Sequence, residues 1–148
     1  MKISIGSDHR GYTLKEKLKE YFSSKDIIVR DFGTDSEASV DYPDYAKSVG
    51  TSVREGETQY GVLICGSGIG VSIAANKQTA IRAVNVNTAA LAEMARKHNN
   101  ANVICFGSDF IGIDEAAKYF DIFINTEFEG GERHNRRISK LEHLTLNT

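Results

Sequence analysis

The sequence predicts an α/β fold: a three-layer, Rossmann-like, five-stranded parallel sheet with helices on both faces and an extra C-terminal helix. Three observations carry this. Short runs rich in Val and Ile alternate with segments of helical periodicity from the first residue onward. Most of the strand-like runs are apolar on both alternations, as strands covered on both faces must be. Glycines close them, at Gly33, at Gly66 to Gly70 and at Gly107. The 148 residues suit one domain, 1–148, without repeats, linkers or low-complexity tracts. For five strands the expected order is flavodoxin-like, 2-1-3-4-5, with its switch point between the carboxyl ends of the first and third strands.

Lys2 to Gly6 reads as the first strand and Ser7 to Gly11 as a turn. A helix follows, with Leu14, Leu18, Tyr21 and Phe22 on one face. Ile27 to Phe32 is the second strand, and Thr34 to Val40 is polar loop. Asp41 caps a helix with Pro43 in its first turn and Tyr42, Tyr45, Ala46, Val49 and Val53 as its buried stripe. Gly61 to Ile64 forms the third strand, followed by a helix over Val71 to Lys77. Ile81 to Val86 is the fourth strand. Thr88 caps a helix with Leu91, Met94, Ala95 and His98 on one side. Asn102 to Phe106 is the fifth strand, and Asp114 opens a helix to about Phe123. A Gly130-Gly131 break precedes a last helix carrying Ile138 and Leu141.

Eighteen basic against twenty acidic residues leave a net charge of −2, so no strong field directs the chain to nucleic acid or a membrane surface. No apolar run approaches spanning length, and Met1 to Ile5 is too short and interrupted for a signal peptide. Cys65 and Cys105 are far apart, with no C-x-x-C and no zinc-ligand spacing. The expectation is a cytoplasmic protein with two free thiols.

The stretch Tyr60 to Gly70, YGVLICGSGIG, is the focus of the chain. A buried strand stops at Cys65, and three glycines, Gly66, Gly68 and Gly70, follow within five residues. Crowded backbone N–H groups at a strand-to-helix turn make an anion site, and a thiol at its lip should favour its thiolate form. The loop is not a Walker A sequence, and it lacks full G-x-G-x-x-G spacing. A phosphatase-type loop would need an arginine where the chain has Val71, Ser72 and Ile73. Cys105, inside a strand, reads as core. Asp8-His9 at the end of the first strand suits either a helix cap or a crevice facing Cys65. His98 suits a satisfied core position as well as a site. Arg133 and Arg137, four apart, share a helix face that could be solvated or could grip a phosphate.

Taken together, these segments resemble the type B ribose 5-phosphate isomerases and the wider family that includes galactose 6-phosphate isomerase subunits. The resemblance covers nearly the whole length. It rests on GSDHRG at Gly6 to Gly11, DYPDYA at Asp41 to Ala46, ICGSGIGVSIAANK at Ile64 to Lys77, RKHNNANV at Arg96 to Val103 and EGGERHNRR at Glu129 to Arg137. It implies interconversion of ribose 5-phosphate and ribulose 5-phosphate without metal or cofactor. Cys65 would move the proton between C2 and C1, with Ser67 beside the enediolate. The amides of Gly66, Gly68, Ile69 and Gly70 would hold the oxyanion. His98 would open the furanose ring with Asn99 as its neighbour. Asp8, His9 and Tyr42 would line the sugar site, and Arg133 and Arg137 would bind phosphate. One branch of the family uses a glutamate a few positions after the cysteine, where this chain has Val71. Relatives often carry an arginine after the Gly-Ser that ends the fifth strand, where this chain has Asp109. Glu132 stands as an extra residue between Gly131 and Arg133.

The chemistry matches these residues, because aldose–ketose isomerisation needs a base beside a carbonyl and a place for negative charge on oxygen. The helix from Thr88 to His98 runs back from the fourth strand, so His98 should lie a strand's length, roughly 17 Å, from Cys65. If both act on one sugar, they come from different subunits. The expectation is a homodimer, or a tetramer built from it, with shared sites. A hexose 6-phosphate isomerase of galactose or allose type and a non-catalytic nucleotide- or phosphate-binding module are the alternative readings.

Overall fold

The structure is a computed structural model and describes residues 1–146. Five strands, β1 (Lys2–Ser7), β2 (Ile28–Asp31), β3 (Tyr60–Cys65), β4 (Ala83–Asn85) and β5 (Val103–Gly107), form one all-parallel sheet. They alternate with α1 (Tyr12–Ser24), α2 (Tyr42–Arg54), α3 (Ile69–Asn76), α4 (Ala89–Lys97) and α5 (Ile113–Asn125). A final helix, α6 (Glu132–Leu146), follows.

The α/β class is as the sequence indicates, but the strand order is not. The sheet runs β2-β1-β3-β5-β4, so the last two strands are exchanged relative to flavodoxin-like order. Burial explains the exchange. All five residues of β5 are buried, which demands an interior slot, whereas β4 is three residues long with Val84 and Asn85 only half-buried. The short, polar strand takes the edge, as does β2 opposite.

Right-handed crossovers then dictate the layers. The steps β1 to β2 and β4 to β5 run in one direction, which places α1 and α4 on the same face, where α5 joins them. The steps β2 to β3 and β3 to β4 run the other way and place α2 and α3 on the opposite face. Leu14, Leu18, Phe22, Ile104, Phe106 and Phe120 fill the first interlayer. Phe22 and Phe120 meet there with ring centroids 4.5 Å apart. Val49, Leu63, Val71, Ala75 and Cys105 fill the second, together with Cys65.

Two helices differ in detail from expectation. In α4 the buried face is Ala92, Ala95 and Arg96, while Leu91 and Met94 point outward. Small alanines let this helix pack closely, which rotates the larger apolar residues out. In α2, Ala46, Val49 and Val53 are buried as expected but Tyr42 is 40% exposed. Asp41 occupies the N-cap without a side-chain bond. Thr88 caps α4 as expected, its Oγ1 accepting from Leu91 N at 3.1 Å.

Lys15 of α1 is completely buried and pairs with Asp31 and Glu16, both at 2.8 Å, while Lys19 reaches Asp31 at 2.7 Å. Asp31 Oδ1 also accepts from Gly33 N at 2.8 Å, which fixes the chain as it leaves β2. Burial alone would raise the Asp31 carboxyl, but the hydrogen bonds from Lys15, Lys19 and Gly33 outweigh it and hold the pKa below the ordinary value. Lys15 is buried but Asp31 is part-exposed, and Glu16 stays beside Lys15 when Asp31 is replaced. Asp31→Asn should therefore lower unfolding stability by about 1–2 kcal/mol in denaturant titration. Because the folded-state pKa is depressed, this contribution is present at neutral pH. It is lost in the wild type as pH falls below about 4 and through the depressed value, and the variant should lack that loss.

Candidate active site

At the carboxyl end of β3 the chain turns directly into α3, which begins at Ile69, two residues earlier than expected. Cys65 Sγ accepts a hydrogen bond from Gly68 N at 3.2 Å. Together with the amino end of α3, this places partial positive charge beside the sulfur. Gly68 has φ +77°, and a Cβ there would fall on Asn85 Oδ1. Asn85 Nδ2 donates to Ser67 O at 3.1 Å, so the strand beyond β5 holds the loop. A Cβ on Gly107 would stand 2.5 Å from Ser67 O, and one on Gly70 2.7 Å from the Tyr42 ring. Ser67 Oγ accepts from Ile69 N at 3.1 Å. Cys105, paired with Leu63 one strand over, is fully buried; burial, and then the nearby Cys65, push its thiol far up. Of the two thiols, Cys65 is the one at the crevice.

The ends of β1 and β5 close on this loop. Asp8 is buried, and its Oδ1 accepts from Arg10 N at 3.0 Å and Gly11 N at 3.1 Å, so it organises the turn into α1. His9 Nδ1 accepts from Val40 N at 3.2 Å, which leaves the ring proton on Nε2. A Cβ on Gly11 would lie 2.7 Å from Ile64 O, which shows how closely this turn sits on β3. Ser108 N donates to Cys65 O at 2.9 Å and Asp109 N to Gly66 O at 3.0 Å. Asp8, His9, Tyr42, Cys65, Ser67 and the amides of Gly66, Gly68, Ile69 and Gly70 thus converge at one end of the sheet.

His98, Asn99, Arg133 and Arg137 do not join them. His98 is the C-cap of α4, and a short link from it leads to Val103, the first residue of β5. Cys65 is paired with Gly107, the last residue of β5. At the usual rise the two ends of β5 are about 13 Å apart. The core-histidine reading fails, since the His98 side chain is 37% exposed. Its ring stacks on His134 with centroids 5.0 Å apart and planes at 8°. Both Nε2 atoms lie 3.7 Å from Glu129 Oε2. Glu129 is held by its own N–H donating to Lys97 O at 3.0 Å. Arg133 and Arg137 are both exposed, one turn apart on α6, and Asn99 lines a groove beside Leu141.

His134 and Glu129 were not singled out in the sequence, although both stand in EGGERHNRR. His134 is buried, and its Nε2 has no hydrogen-bond partner among the described residues. Burial, then the charges of Arg133 and His98, lower its pKa, with Glu129 acting in the opposite sense. Among the described residues, His98, Glu129 and His134 form a group whose ligating atoms lie within 4.8 Å of one another. Their nearly parallel rings keep the in-plane lone pairs from converging on a single point, which is poor geometry for a metal. Asn85, which pins the thiol loop from the edge strand, was also not evident in the sequence.

A thiol held against backbone amides at the switch point of a doubly wound sheet defines an α/β enzyme with a small-molecule crevice. Residues 3–141 match the Ribose/Galactose Isomerase family, and the chain belongs to that family. It is 41% identical over 140 residues to ribose-5-phosphate isomerase B of Escherichia coli K12, covering 95% of this chain and 93% of that protein. Among solved structures, ribose-5-phosphate isomerase B of Clostridium thermocellum superposes with a TM-score of 0.96 at 42% identity, covering 99% of both chains. The Mycoplasma genitalium enzyme with bound ribulose-5-phosphate gives 0.92 at 42% identity, covering 99% of this chain and 97% of that one.

Gly68 is the backbone position on which the loop depends most. Gly68→Ala should cost about 1–3 kcal/mol of unfolding stability from the left-handed backbone alone, with further loss from displacing Asn85. Thermal unfolding of this variant, beside Gly112→Ala where a Cβ meets nothing within 4 Å, checks the assignment.

Proposed function

We propose that this chain interconverts D-ribose 5-phosphate and D-ribulose 5-phosphate through an enediolate. The observation that carries the reading is the Cys65 sulfur 3.2 Å from Gly68 N, where the β1, β3 and β5 ends converge. The ribulose-5-phosphate bound by the Mycoplasma genitalium neighbour supports the substrate. The Cys65 thiolate takes the proton from C2 of the open-chain aldose and returns it to C1. The carbonyl oxygen gains negative charge, which the amides of Gly66 to Gly70 offset, with Ser67 beside the enediolate. Asp8, His9 and Tyr42 hold the sugar hydroxyls. As C1 is protonated, the proton of the C2 hydroxyl passes to O1, so the aldose becomes the ketose and the step balances without a redox partner.

Ring opening and phosphate binding fall to His98, Asn99, Arg133 and Arg137. Their place at the far end of β5 leads us to assign them to the neighbouring site of a homodimer, in which each site combines two chains. Exposed apolar side chains support such a contact: Ile69 and Ile73, one turn apart on α3, are 56% and 57% exposed beside the thiol loop. The reading places the enzyme in the cytoplasm; among the described residues no helix is long and apolar enough to cross a membrane.

Cys65→Ala should reduce turnover of ribose 5-phosphate by about a thousandfold or more with an unchanged thermal midpoint. It should also abolish solvent deuterium exchange at C2. Near-normal turnover would remove Cys65 as the base. A parallel panel of galactose and allose 6-phosphates should show a clear preference for the pentose.

A further inference from the structure

The Arg10–Asp109 pair has no part in the chemistry assigned so far. Arg10 Nη2 meets Asp109 Oδ2 at 2.5 Å. The pair lies directly on the thiol loop: a Cβ on Gly66 would be 2.9 Å from Arg10 Nε and 3.0 Å from Asp109 Oδ2. Both residues are fixed from their backbones. Arg10 N donates to Asp8 Oδ1 at 3.0 Å, and Ser108 Oγ donates to Arg10 O at 2.9 Å. Asp109 N donates to Gly66 O at 3.0 Å. The guanidinium–carboxylate pair occupies the space that a Gly66 side chain would take.

We propose that Arg10 is a substrate-phosphate ligand contributed by the same protomer as Cys65, and that Asp109 is the residue that positions it. Cys65 belongs to the interlayer of α2 and α3, whereas Arg10 and Asp109 reach Gly66 from the turns that open toward α1 and α5, on the opposite face. A sugar phosphate with its C1–C2 end at the sulfur thus crosses the strand ends toward the guanidinium and carries its phosphate there. Asp109 engages only one terminal nitrogen. Nη1 of Arg10 donates to no protein acceptor among the described residues, and Nη2 carries a second N–H beside it, so the outer Nη1–Nη2 edge can still present two N–H groups to a phosphate. An acid at position 109 where relatives often carry arginine is then no loss of charge from the site. The cation stands at position 10, and the acid holds it.

The proposal rests on the isomerase reading for its substrate, and two measurements keep the two apart. Steady-state kinetics with ribose 5-phosphate, and calorimetric titration with inorganic phosphate, are compared for wild type, Arg10→Ala, Asp109→Ala, the double alanine variant and Arg10→Ala with Asp109→Arg. Arg10→Ala should raise KM and weaken inorganic phosphate by about tenfold each, with kcat within about twofold. Asp109→Ala should raise KM less, and the double alanine variant should be no worse than Arg10→Ala. Asp109→Arg in the Arg10→Ala background should recover most of the lost affinity. Unchanged KM and phosphate affinity in Arg10→Ala would overturn the proposal, as would additive losses in the double alanine variant. A wild type that binds phosphate through Arg10 yet fails to turn over ribose 5-phosphate would instead refute the isomerase reading alone.

Discussion

The catalytic end of this protein depends on one close backbone approach. Where β3 passes into α3, the Ser67 carbonyl lies where Gly107 could carry no side chain, and Gly68 sits in a left-handed conformation against Asn85. That approach brings Gly68 N within 3.2 Å of the Cys65 sulfur and ties the loop to the edge strand through the Asn85–Ser67 bond. Gly107 is required here for want of space, and Gly68 for its left-handed backbone as well as for space. The neighbouring turns add to the same constraint, since Ser108 and Asp109 each donate a backbone N–H to the thiol loop. A sulfur on a free loop would lose orientation with each fluctuation, and effective proton transfer depends on holding reacting groups near contact.

The sheet order follows from burial and in turn places the second cluster. Because β5 takes the interior position, the crossover from β4 puts α4 on the face of α1 and α5. His98 then ends α4 at the amino end of β5, next to the segment carrying Glu129 and His134. The stacked imidazoles and their shared carboxylate lie at a distance from the thiol. The fold separates Cys65 from His98 by the length of a strand, which is why the proposed chemistry, with Cys65 as base and His98 as acid, requires two copies of the chain.

Much of this was legible in the sequence. The alternation of apolar runs and helical periodicity gave the class, because those patterns reflect burial directly. Cys65 stood out because it ends a buried strand where glycines begin, and the structure places it against an amide as that position suggests. The exchange of β4 and β5 was harder to see, although Arg82 and Asn85 in the fourth run, against NVICF in the fifth, carry the signal for an edge against an interior strand. The phase of α4 was misread because Leu91 and Met94 look like core residues in isolation. Only packing shows that Ala92 and Ala95 fill that space. The roles of Asn85, Glu129, His134 and Arg10 are tertiary. Each acts on a residue far away in the chain, or through a ring stack that no local spacing encodes.

The central claim is that one site is built from the Cys65 of one chain and the His98 of another. Subunit mixing tests it most directly. Cys65→Ala and His98→Ala variants, each inactive or nearly so, are unfolded together and refolded to allow random pairing. Half of the dimers are then mixed, and each mixed dimer holds one site with both residues intact, so the mixture should regain about a quarter of wild-type activity. A mixture no more active than the two variants measured separately would contradict a shared site.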